Sequence, residues 1–114
     1  MSQPEPLAPF QVRDAAPLFA ALGDQTRLQL LLRLSTGGPA SIARLSSTAR
    51  VSRQAITKHL QVLAEAGLVS TSRQGRERVC ELKPGRLADA HECLALISTL
   101  WDEALDRLKM LVEG

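Results

Sequence analysis

The stretch SRQAITKHLQVLAEAG, residues 52–67, constrains this chain more than any other, because it divides between two sides of a helix. A rotation of about 100° per residue puts Ile56, Leu60 and Leu63 on one side. Arg53, Gln54, Thr57, Lys58 and Gln61 fall on the other within an arc of roughly 140°, uninterrupted by any large apolar residue. Ser52 is placed to cap the helix and Gly67 to stop it. One face must bury, and the other presents groups suited to a DNA major groove. Arginine matches guanine O6 and N7, glutamine matches adenine N6 and N7, threonine meets the thymine methyl, and lysine neutralises phosphate. A merely solvated helix can show the same face, so the flanking segments have to decide.

Upstream, Pro17 fits the first turn of a helix leading into LFAALGD, and the proline-rich start, residues 1–9, reads as a flexible arm. Asp24 can cap a second helix, TRLQLLLRLS, whose Leu28, Leu31, Leu32 and Leu34 supply an apolar face until Gly37, Gly38 and Pro39 end it. Ser41 can cap a short third helix through Ser47, with Ile42 and Leu45 pointing inward. A turn over Thr48–Val51 then leads into the amphipathic helix, the spacing of a helix-turn-helix whose second helix enters the groove.

Downstream, LVSTSR, QGR and ERVCEL alternate as two strands about a glycine turn, and Arg73, Arg76 and Arg78 surround Gly75. A basic hairpin beside a recognition helix can grip flanking backbone or minor groove. Pro84 and Gly85 break the chain before a last helix over Arg86–Val112. Its apolar residues, among them Leu87, Ala90, Leu94, Ile97, Trp101, Leu105, Leu108 and Leu111, recur at steps of three and four. Leu96 and Leu100 widen that face beyond what one small domain can cover. The fold class is therefore mainly α with a small β-hairpin, a winged helix-turn-helix in the order α-α-α-α-β-β-α, spanning residues 10–114 as one domain.

Composition agrees with this reading. A chain of 114 residues supports one core. With aromatics at 3%, that core must be aliphatic. The net charge of +2 does not by itself indicate a nucleic-acid partner; the local distribution does. No apolar run approaches the roughly 20 residues of a membrane span, and the start lacks signal-peptide character, so a cytoplasmic location is expected. Cys80 and Cys93 are not spaced as C-x-x-C and read as unpaired thiols.

Three blocks in this order, LFAALGDQTRLQLLLRL (18–34), VSRQAITKHLQVLAEAGLV (51–69) and SRQGRERVCEL (72–82), resemble the ArsR-type family of winged helix-turn-helix regulators. The resemblance implies a homodimer joined through its first and last helices, which assigns Leu18, Phe19, Leu94, Ile97, Trp101, Leu105 and Leu108 to the interface. It also implies repression through a palindromic operator of double-stranded DNA. Helix 52–66 would lie in the major groove, with Ser52, Arg53, Gln54, Thr57, Lys58 and Gln61 in contact. Wing 68–83 would bring Arg73, Arg76 and Arg78 to the flanking DNA.

The family's metal sites transfer poorly. Where one site has Cys-x-Cys in the third helix, this chain has Ser41–Ser46. Asp89 and His91 match half of a second site, but the completing positions hold Asp102 and Leu105. No metal or other cofactor is expected. Nor does a catalytic nucleophile, base and pocket emerge, so an enzyme is not expected. His59, at the margin of the buried side, reads as a hydrogen-bonded structural histidine. The competing reading is a winged-helix protein-interaction module without sequence-specific DNA binding.

Overall fold

The computed structural model describes residues 9–113, with side chains from Arg13 onward. The arm expected over residues 1–9 lies outside the described residues, except that Pro9 is the first residue of helix α1. The order is α1 (Pro9–Leu22), α2 (Gln25–Gly37), β1 (Ala40–Ser41), α3 (Ile42–Ser47), α4 (Arg53–Glu65), β2 (Val69–Gln74), β3 (Glu77–Leu82) and α5 (Pro84–Glu113).

Three helices start on side-chain caps read from the sequence. Asp24 Oδ2 accepts from the Arg27 amide at 3.0 Å, Ser41 Oγ from Arg44 at 3.1 Å and Ser52 Oγ from Ala55 at 3.1 Å. Each supplies one of the orphan amides of a first turn with its acceptor. Helix α4 ends in a Schellman arrangement: Leu68 N–H donates to Leu63 O at 2.9 Å and Gly67 N–H to Ala64 O at 3.0 Å. Gly67 has φ +78°, and a Cβ there would stand 2.9 Å from Arg86 Cγ, so this stop has room for glycine alone.

Two helix starts differ from the sequence expectation. Helix α1 begins eight residues before Pro17, which sits inside it. Pro17 is exposed, so the carbonyl freed by its missing N–H faces water and the ring is tolerated. Pro84 and Gly85 open α5 rather than break the chain before it, since an N–H at the first helical position has no partner in any case. Strand β1 was not anticipated. Its two residues pair antiparallel with β3 (Ala40↔Cys80, Ser41↔Val79), making a three-stranded sheet in the order β1-β3-β2.

The core gathers where α1, α2, α3, α4 and the base of the sheet meet. Leu18, Leu45, Ile56, Leu60, Leu63 and Leu68 are its largest fully buried side chains. On α2 the expected face shifts by part of a turn: Leu30, Leu31 and Leu34 are buried, whereas Leu28 and Leu32 are 45% and 64% exposed. Leu28 and Leu32 are i, i+4 neighbours on the outer side, so the buried stripe runs through Leu30 instead.

Candidate nucleic-acid interface

Helix α4 is held from behind by Ile56, Leu60 and Leu63, each at most 2% exposed. Its other side leaves Arg53, Gln54, Thr57, Lys58 and Gln61 exposed together. Thr57 Oγ1 donates to Arg53 O at 2.9 Å, which orients its methyl and hydroxyl on that face. Ser52 is exposed, and its Oγ accepts from Ala55 while its hydroxyl hydrogen stays free to donate outward. The short helix α3 and the turn after it precede α4 as the sequence predicted.

The hairpin is joined to α4 by only Ala66, Gly67 and Leu68, and Lys83 N–H donates to Leu68 O at 2.9 Å to close its base. Gln74 pairs with Glu77, leaving Gly75 and Arg76 as a two-residue loop. Gly75 carries φ +64° at the first loop position, the requirement of a type II′ turn. Arg73 and Arg78 are direct cross-strand partners, so their side chains share one face of the ribbon. That face carries Val69 and Cys80 at its buried base, so the arginines continue it beyond the body of the domain. Like charges placed opposite each other destabilise a ribbon unless an anion lies between them. With Arg76 at the tip, the wing has three exposed guanidiniums.

A polar junction missed from the sequence braces α4. Arg27 Nε donates to Ala21 O at 2.6 Å and Nη2 to Ala20 O at 3.3 Å, serving the last carbonyls of α1. Its Nη1 lies 3.3 Å from His59 Nδ1, and that histidine nitrogen lies 3.7 Å from Asp24 Oδ2. Arginine has only donors, so this contact is a hydrogen bond when His59 Nδ1 is the acceptor. The Asp24 carboxyl is held below its ordinary value chiefly by the Arg27 backbone N–H, which outweighs the opposing effect of burial, with lesser help from His59 and the Arg27 guanidinium. A cation in the first turn of α2 opposes that helix's own dipole, and only the end of α1 beside it explains Arg27.

Of the residues assigned to the dimer interface, Leu18 is fully buried in the chain's own core and Phe19 is packed against that core. Leu18 therefore supports α1 from beneath and cannot lie on a contact surface. Leu94, Ile97, Trp101, Leu105 and Leu108 on α5 are exposed, Trp101 by 66%. Of the whole helix only Ala90 is buried.

Asp89 accepts from Arg86 Nη1 at 3.3 Å, and the same nitrogen donates to Asp14 at 2.9 Å, so Asp89 is engaged in tying α5 to α1. Among the described residues no three His, Cys, Asp or Glu side chains gather as metal ligands. Cys80 is fully buried on the central strand, and burial pushes its thiol up to about 11, with Glu81 adding to the effect; Cys93 is half-buried on α5. Among the described residues no helix is long and apolar enough to cross a membrane.

Comparison with known proteins agrees with this geometry. A helix-turn-helix domain family matches residues 22–71. The HTH-type transcriptional regulator Rv2034 of Mycobacterium tuberculosis is 36% identical over 96 residues, covering 84% of this chain and 86% of that protein. The solved structure of an ArsR-like transcriptional regulator from Rhodococcus sp. RHA1 superposes with a TM-score of 0.73 at 35% identity, covering 88% of this chain and 93% of that one. The homodimeric winged helix-turn-helix DNA-binding domain from Mycobacterium bovis shares the fold, with a TM-score of 0.63 at 23% identity over 90% of this chain and 92% of that one.

Proposed function

Because this chain belongs to the ArsR-type family of winged helix-turn-helix transcriptional regulators, we propose that it acts as a homodimeric repressor of an inverted-repeat operator. The observation that carries this reading is the unbroken exposed row from Arg53 to Gln61 on a helix whose back is locked in the core. Gln54, Thr57 and Lys58 read bases, while Arg53 and the wing arginines hold the backbone. A second copy covers the apolar face of α5, and the two-fold axis sets the recognition helices about 34 Å apart, one turn of DNA. The homodimeric relative from Mycobacterium bovis supports the same assembly. Occupancy over a promoter excludes polymerase.

Selection of bound duplexes from a random pool tests this reading. An enriched palindrome is expected. Gln54→Ala then weakens the enriched site by roughly 1 to 3 kcal/mol and random DNA far less, whereas Arg76→Ala weakens both and lowers the salt slope by about one. Absence of any complex at low salt would mark an interaction module instead, and equal loss on both DNAs from Gln54→Ala would refute the division of labour.

A further inference from the structure

The stretch from Gln25 to Ala64 contains Arg27, Arg33, Arg44, Arg50, Arg53 and Lys58 and no acidic residue. Arg27 is engaged at the end of α1 and with His59, while Arg53 and Lys58 stand on the recognition face. Arg50 has no such role. It is exposed on the turn between α3 and α4, and none of the ion pairs among the described residues includes it. It borders a cleft between α2 and that turn, with Gln25, Gln29 and Arg33 on the α2 side and Thr48 beside it on the turn. Leu30, Leu45 and Ile56 beneath are sealed in the core, so the surface open to a ligand is chiefly polar. Arg33 Nη1 donates to Leu45 O at 3.1 Å, which fixes a second guanidinium in the cleft wall. No acidic side chain among the described residues lines the cleft, and Asp24, the nearest in the chain, is held by the Arg27 amide and lies beside His59.

We infer that Arg50, with the polar cleft behind it, holds a backbone phosphate of the duplex at a place served by neither the recognition face nor the wing. The inference rests on the regulator reading above and extends its footprint. No residue of the hairpin lines the cleft, and Arg50 stands two positions before Ser52, the cap of α4. The major groove is about 12 Å wide and a helix with its side chains about 10 Å across, so a residue just off the helix end meets the strand that walls the groove rather than the bases on its floor. Two guanidiniums without a counter-charge suit a phosphate, and Gln25, Gln29 and Thr48 add neutral donors. A free phosphate would have to be captured from solution by an open site, whereas a backbone phosphate is delivered there once α4 lies in the groove. Such a contact adds affinity and register without sequence preference.

Duplexes of the selected sequence carrying one neutral methylphosphonate, moved along each strand in turn, test the contact with the full chain. The wild-type chain is expected to lose affinity several-fold at a backbone position flanking the bases read by α4. Arg50→Gln is expected to be insensitive at that position and to keep its sensitivity at the others. On unmodified DNA, Arg50→Gln weakens selected and random duplexes by the same several-fold factor and lowers the salt slope by about one for each protomer bound. Arg50→Lys restores the slope, and both variants keep the wild-type urea midpoint. No sensitive flanking position, or the same profile in wild type and Arg50→Gln, overturns the contact and leaves the regulator reading standing. A changed order of preferred sequences in Arg50→Gln overturns it as well, because Arg50 then reads bases. Inorganic phosphate that shifts the Gln29, Thr48 and Arg50 amides saturably, and equally with duplex already bound, marks a free-anion site and overturns it too. No complex with any duplex at low salt refutes the regulator reading, and the contact with it.

Discussion

Helices α4 and α5 are both amphipathic, yet their own chain treats them oppositely. Helix α4 has its apolar stripe sealed in the core and its polar face open; α5 beyond Ala90 has its apolar stripe open as well, from Leu94 to Val112. At 30 residues and about 1.5 Å each, α5 is about 45 Å long and outreaches the body that could cover it. An exposed polar face costs little in water and gains from a polyanion. A contiguous exposed apolar face marks an interaction site. In the proposed function one helix thus faces nucleic acid, and the other faces a second copy of the chain.

Substitutions at matched positions probe that contrast. The largest effect belongs to the sealed side: Leu63→Ala leaves a cavity and lowers unfolding free energy by about 2 to 5 kcal/mol in urea titrations. On the open side, Trp101→Ala leaves the fold of each chain intact and acts on association. Removing two copies of the ring at a two-fold interface, at roughly 1.5 kcal/mol or more each, raises the dimer Kd about a hundredfold by analytical ultracentrifugation. If Trp101→Ala unfolds the chain as Leu63→Ala does, the distinction fails.

The link between α4 and the wing ranks next. Gly67→Ala forces a side chain to φ +78° and against Arg86, at about 1 to 3 kcal/mol in thermal or urea unfolding. Ser52→Ala removes the cap of α4 for about 1 kcal/mol, read in the same way. The two cysteines give the gentlest probe. Cys93 on α5 reacts first with a thiol reagent, and Cys80 reacts only as the core opens. Because burial holds the Cys80 thiol neutral up to about 11, its contribution to stability is complete below the ordinary value of 9.0 and is lost as pH rises through 11. Urea midpoints that hold up to pH 9 and then fall are the expected result; equal labelling rates in the native protein would contradict the burial contrast.

Much of the architecture was legible from local chemistry. The caps at Asp24, Ser41 and Ser52, the stop at Gly67 and the turn at Gly75 each depend on residues within a few positions, so the sequence alone determined where those elements start, stop and reverse. The polar and apolar sides of α4 followed from helical period, which needs no knowledge of what packs where.

What tertiary structure decided was non-local. Strand β1 is two residues with no strand-forming side chains and exists because β3 offers it a ladder forty positions away. Leu18 and Leu28 have similar chemistry, but one is sealed and the other open because the neighbours of α1 and α2 come from distant segments. Arg27 joins the end of α1 to His59, and the cleft beside Arg50 forms where α2 meets the turn, neither of which has a sequence period. Local hydrogen bonding and side-chain period are written along the chain, whereas burial and polar junctions depend on which segments the fold brings together.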